Sequence, residues 1–113
     1  MRRGEIWVAN LNPNRGREIG KIRPVLVMQA NELIDAGTPL VVVLPLTTQL
    51  RAGFEVWRIG VAARDRLREP CQIVVDQPRA LDRRRITEGP LTVLTRPELA
   101  AVERSLRVVL GMY

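Results

Sequence analysis

The chain has no histidine, one cysteine and one lysine among its 113 residues. Without histidine, proton transfer near neutral pH must use some other side chain, and histidine-ligated metals are excluded. Cys71 alone can form neither an intramolecular disulfide nor a thiolate metal cluster, which suits a reducing cytoplasm. Only carboxylate sites for hard cations remain, and no spacing suggests one, so neither metal nor other cofactor is expected. Long apolar runs are missing too. The longest, residues 39–46, is far too short to cross a bilayer, and the amino terminus lacks the apolar core of a secretory signal. A soluble cytoplasmic protein with no membrane partner is expected. With four aromatics in all, the chain also lacks the series of exposed rings that a noncatalytic single-strand nucleic-acid module normally presents.

What the chain has in excess is arginine. Eighteen cations face twelve anions, and seventeen of the cations are arginines, whose planar fork binds phosphate oxygens in pairs. A polyanionic partner follows. An arginine taken singly is read as a solvated surface group. The clusters Arg15, Arg17, Lys21, Arg23 and Arg79, Arg83, Arg84, Arg85 point to function, because like charges this dense repel unless something negative lies nearby. The length suits one domain, residues 1–113, and a homodimer that extends its working surface.

Read along the chain, residues 4–11 (GEIWVANL) alternate as a strand with both faces partly covered. Residues 12–22, with Gly16 and Gly20 and no apolar period, read as a long mobile loop of functional type. A second strand follows in RPVLVMQ, with Pro24 confined to its start. NELIDAG suits one helical turn closed by Gly37, PLVVVLPL a central buried strand, FEVWRI a fourth strand, and CQIVVDQPRAL a fifth interrupted by Pro78. LDRRRITEGPL reads as a further short turn or helix. The last element is a helix: Thr95 and Glu98 have capping-box spacing, Pro97 suits its first turn, and Leu99, Val102, Leu106, Val109 and Leu110 form one apolar stripe. The expected fold is mainly β (α+β), a small, partly open antiparallel barrel with a carboxy-terminal α-helix.

The stretch RGEIWVANLNPNRGREIGKIRPVLVMQ resembles the amino-terminal signature of the MazF/PemK toxins, and LPLTTQ with GFEV, then VVDQPRALD, agree in order and spacing. The likeness covers roughly the first 85 residues. It implies an SH3-like barrel, a homodimer, a type II toxin-antitoxin system, and sequence-specific endoribonuclease action on single-stranded RNA that is silenced by a cognate antitoxin. Carried over by position, it marks Arg23, Thr47 and Asp76 as catalytic; around them, Arg17, Glu18, Lys21, Thr48, Gln77 and Arg79 are expected to bind RNA. Some relatives have histidine where this chain has Arg17 and arginine where it has Val74, so a proton-shuttle scheme does not transfer whole.

Chemistry gives these residues separate tasks. Metal-free RNA cleavage uses the substrate's own 2′-hydroxyl, so the protein must accept a proton and stabilise the charge building on phosphorus. Arg23, always charged, suits the second task, held at a strand start that aims it. Thr47 can hydrogen-bond a phosphate oxygen or the 2′-hydroxyl, or be an ordinary strand terminus. Asp76 can accept the 2′-hydroxyl proton or be a structural partner of Arg79 or Arg23. Glu18 can orient Arg23 across the loop. Trp7 and Trp57 are read as core or interface more than as base-stacking platforms. The competing reading is a gyrase-poisoning toxin of the same barrel class that binds without catalysis. Such a binder has no need of an arginine-proline strand start paired with a strand-end threonine. An acidic, initially disordered antitoxin tail is expected to cover the basic loop.

Overall fold

A computed structural model describes residues 1–53 and 56–113. Among these residues, seven antiparallel strands form a curled half-barrel: β1 (Glu5–Asn10), β2 (Ile22–Val27), β3 (Leu40–Thr47), β4 (Arg58–Val61), β5 (Cys71–Val74), β6 (Arg79–Asp82) and β7 (Ile86–Val93). Helix α1 (Asn31–Asp35) precedes β3, and α2 (Arg96–Leu110) ends the chain. The strand order is β4-β5-β3-β2-β1-β7, with β6 also paired to β3. The first half of β3 pairs with β6, from Leu40 opposite Asp82 to Val43 opposite Arg79. Its last two residues pair with β5, Leu46 opposite Ile73 and Thr47 opposite Gln72. One long strand thus carries the chain from one sheet into the other and delivers Thr47 to the seam.

Alternation along β2 and β3 fills both sides of this sheet, as the period-two geometry of a strand requires. Leu26, Leu44 and Leu46 join Ile6, Ile73 and Val102 in one core. Val25, Val27, Val41 and Val43 join Ala9, Leu11 and Leu81 in a second. Helix α2 covers the first core with Val102 fully buried and Leu99, Leu106 and Val109 partly so, while Leu110, expected in the same stripe, is exposed. Its start is the capping box: Thr95 Oγ1 accepts from Glu98 N, and Glu98 Oε1 accepts from Thr95 N. Gly111 ends it in the left-handed conformation.

The strand count differs from the five expected. Pro78 does interrupt the fifth segment, but the second half, β6, leaves β5 and pairs with β3. RRR (Arg83–Arg85) forms a 3₁₀ turn, and ITEGPLTV is a full strand at the sheet edge on β1. Gly89 and Pro90 sit within it because the register slips there. Ile6 pairs with Thr92 and Val8 with Glu88, so two steps on β1 oppose four on β7, and the bulge absorbs a Gly-Pro pair that would end a central strand. The fourth strand starts at Arg58, with Val56 and Trp57 in a turn before it; Phe54 and Glu55 of the expected strand lie outside the described residues. Trp7 packs over Gly89, where a Cβ would stand 2.6 Å from its ring, and donates Nε1 to Glu5. Trp57 is about half-exposed. Among the described residues, no helix is long and apolar enough to cross a membrane.

Candidate active site

The loop between β1 and β2 is closed by its own polar groups. Leu11 N donates to Lys21 O, Lys21 N to Asn12 Oδ1, Arg15 N to Glu18 Oε1, and Asn14 Nδ2 to Glu18 O. Ile19 N reaches across to Gln77 Oε1 at 3.0 Å, which pins the loop to the turn between β5 and β6. Lys21 takes a left-handed φ of 71° at the point where the loop enters β2. The carboxylate of Glu18 therefore closes the loop instead of orienting Arg23.

Arg23 lies on β2 opposite Ala9 and is oriented by main-chain carbonyls. Its Nε donates to Gly20 O at 2.8 Å and Nη1 to Leu46 O at 3.4 Å. Gly20 is required at this corner, since a Cβ there would press on Asn14. Burial pulls the pKa of Arg23 below the ordinary arginine value, and the group stays a cation at neutral pH. Of the five guanidinium hydrogens, two are engaged, leaving both hydrogens of Nη2 and one of Nη1 for a ligand.

These groups surround a cleft of about 780 Å³ lined by Arg17, Lys21, Arg23, Thr47, Thr48 and Gln77, together with Gln49, Arg51, Arg58 and the apolar side chains around them. Among the described residues, five cations and no carboxylate line it. Thr47 is nearly buried, and its Oγ1 accepts from Gln49 N at 3.1 Å, so its hydroxyl hydrogen is left to donate. An adjoining cleft of about 420 Å³ holds Glu18, Asp76 and Arg79, and shares Arg17, Ile19 and Gln77 with the first. Asp76 is exposed and, among the described residues, has no ion pair or hydrogen bond from its side chain. It is thus a structural partner of neither Arg79 nor Arg23. Arg79 Nη1 donates to Leu11 O at 2.9 Å. Nine expected site residues therefore fall along two joined clefts: Arg23 and Thr47 with Arg17, Lys21, Thr48 and Gln77 in the first, Asp76, Glu18 and Arg79 in the second.

The two arginine clusters part company. Arg17, Lys21 and Arg23 converge on the cleft, while Arg15 is exposed and does not line it. The second cluster is held by the protein. Arg83 donates to Thr38 O and Ile34 O, Arg84 pairs with Asp82, and Arg85 donates to Asn12 O. The negative groups that density of charge called for are mostly carbonyls of the chain itself. Arg51 and Arg58 were not singled out in sequence, since each stands alone among neutral neighbours; a signal lay in their position around the turn that follows LPLTTQ. No group of three or more histidine, cysteine, aspartate or glutamate side chains is placed to hold a metal ion among the described residues.

Comparison with known proteins agrees with this architecture. Residues 2–110 match the family described as PemK-like, MazF-like toxin of type II toxin-antitoxin system. The chain is 30% identical over 114 aligned positions to an Endoribonuclease MazF of Staphylococcus saprophyticus, covering 100% of this chain and 93% of that one. It is similar to the crystal structure of MazF (Form-I) from Deinococcus radiodurans, with TM-score 0.82, 27% identity, and 99% and 97% of the two chains covered. It is also similar to a MazE-MazF structure (Form-III) from that organism, with TM-score 0.79, 25% identity, and 100% and 98% covered. With the loop, the strand-start arginine and the strand-end threonine in place, and the match running nearly end to end, the chain belongs to the PemK-like, MazF-like toxins of type II toxin-antitoxin systems.

Proposed function

We propose that the protein is a sequence-specific endoribonuclease that cuts single-stranded RNA without a metal, by attack of the substrate's 2′-hydroxyl on the adjacent phosphorus. The observation that carries this reading is the cleft in which Arg23, fixed by two carbonyls and with donors to spare, faces the seam that ends in Thr47. A phosphate seated there receives the free Arg23 hydrogens and the Thr47 hydroxyl as negative charge builds on its oxygens. Nothing in the cleft must reorganise for this, because each donor is held at the end of a strand. Asp76, unpaired at the adjoining cleft, accepts the 2′-hydroxyl proton. As the new P–O2′ bond forms, the P–O5′ bond breaks and the departing 5′-oxygen takes a proton from solvent water, so the products are a 2′,3′-cyclic phosphate and a 5′-hydroxyl.

The rest of the cleft binds RNA. Arg17 and Lys21 supply charge to the backbone, and Thr48 and Gln77 supply hydrogen bonds; Glu18 and Arg79 extend the surface into the second cleft. The partners are single-stranded RNA, a second copy of the chain, and the cognate antitoxin, whose acidic tail lies along the same cations in the cytoplasm. A noncatalytic gyrase-binding role leaves the aimed Arg23 without a task. The test is incubation of the purified protein with a long RNA in excess EDTA, followed by sequencing and chemical typing of fragment ends. Discrete cuts ending in cyclic phosphate are expected, and intact RNA at every protein concentration would reject the reading.

A further inference from the structure

Arg58 opens β4, opposite Val74 of β5. Two residues on, Gly60 pairs with Gln72, which pairs in turn with Thr47, so Arg58 stands on the same face of this small sheet as Thr47, two strands across and two residues along. The space above Gly60 is open, with nothing within 4 Å of the position a Cβ would take. Arg58 joins the wall of the cleft that holds Arg23.

Its environment differs from that of the other four cations there. Arg17, Lys21 and Arg51 are exposed to water, and Arg23 is held by two carbonyls. Arg58 is half-buried, and its Nη1 is fully buried with no hydrogen-bond acceptor among the described residues. Neither an ion pair nor a hydrogen bond from its side chain exists among those residues. A buried charged donor left unpaired is costly, and native structures rarely keep one without a purpose. Here the purpose has to be an anion from outside, because no carboxylate lines the cleft among the described residues.

We propose that Arg58 is a phosphate-binding residue of the RNA track, holding a nonbridging oxygen of one nucleotide's backbone. The proposal rests on the endoribonuclease reading above and adds to it a contact from the opposite wall of the cleft. Arg23 approaches from β2 and Arg58 from β4, so a backbone passing between them is gripped from two sheets. Phosphate contacts of this kind set register and add affinity without reading bases. An acceptor brought by the RNA also completes the buried side-chain donor that Arg58 leaves open among the described residues, which makes the apo protein less stable than it would be without this arginine.

The test compares wild type, Arg58→Met and Arg58→Lys, with Arg104→Gln on the exposed face of α2 as control. Binding of a random-sequence 2′-O-methyl RNA, which cannot be cut, is measured between about 50 and 200 mM salt. Arg58→Met should bind about tenfold more weakly, and its log–log salt slope should be shallower by about 0.7, the value of one phosphate contact on a single strand. Arg58→Lys should keep the wild-type slope, Arg104→Gln should match wild type throughout, and the melting temperature of free Arg58→Met should equal or exceed that of wild type. Unchanged affinity and slope in Arg58→Met overturns the proposal. So does a lower melting temperature, which would mark Arg58 as a structural residue. If wild type neither binds this RNA nor cleaves unmodified RNA, the endoribonuclease reading itself has failed, and the inference with it.

Discussion

Arg23 Nη1 donates to the carbonyl oxygen of Leu46, 3.4 Å away, and so ties the start of β2 to the residue before Thr47 at the end of β3. The two groups assigned to the phosphate are thereby held in one frame. Arg23→Ala should lower cleavage by about 10²–10³, the usual loss for one preorganised donor at a developing oxyanion. Arg23→Lys should fail to restore it, since a point charge cannot reproduce the fork. Single-turnover rates with melting curves check this: Arg23 is only half-buried, so the fold should survive.

The charges on the loop separate the two ligands. Arg17 and Lys21 are exposed on the cleft rim, so Arg17→Glu with Lys21→Glu should weaken RNA binding more than antitoxin binding, because the antitoxin also buries apolar surface. Calorimetric titration of each ligand should show this difference, and the two should compete. Equal losses, or simultaneous binding, would show that the cleft is not shared.

Arg83 gives the contrasting result. Its guanidinium joins Thr38 O and Ile34 O, closing the end of α1 against the 3₁₀ turn. Arg83→Ala should cost ~1–2 kcal/mol of stability by chemical denaturation and leave the cleavage rate per folded molecule near wild type.

That contrast shows how much was legible in sequence. The helix α2 was, since its capping box and stripe are local signals read within one element. So were β1 to β3, whose alternation reflects the two cores on either side of them. The cations of the 12–22 loop were found because their charges crowd within a few residues, inside a known motif. β7 was missed because Gly89-Pro90 reads as a turn, and only pairing with β1 across a bulge makes it a strand. The 83–85 part of the second cluster was over-read because the carbonyls that accept from Arg83 and Arg85 come from positions as distant as Asn12 and Ile34. Arg58 was invisible for the converse reason: its importance lies in an acceptor it lacks, and no spacing reports that.

Acid should loosen the carboxy-terminal helix. Arg64 forks onto Glu98 with two 2.7 Å bonds, chiefly through this hydrogen bonding holding the Glu98 carboxyl at about 2, below its usual 4.5. A carboxylate with a depressed folded pKa contributes stability in full above its unfolded value and loses it as pH falls through the folded one. The contribution should therefore be complete above about pH 5 and fade towards pH 2. Glu98→Gln should cost ~1–2 kcal/mol at neutral pH and flatten the acid limb, read from melting temperatures across that range.

The central claim is that the cleft turns the RNA's own 2′-hydroxyl into the nucleophile. Once a cut site has been mapped, a short RNA carrying a single 2′-deoxy residue immediately 5′ to the scissile phosphate tests it directly, with the all-ribose RNA as reference and EDTA present in both. The account predicts complete loss of cleavage at that bond while the deoxy strand still binds with nearly the affinity of the reference. Cleavage of the deoxy bond at a comparable rate would contradict it, because the nucleophile would then come from elsewhere.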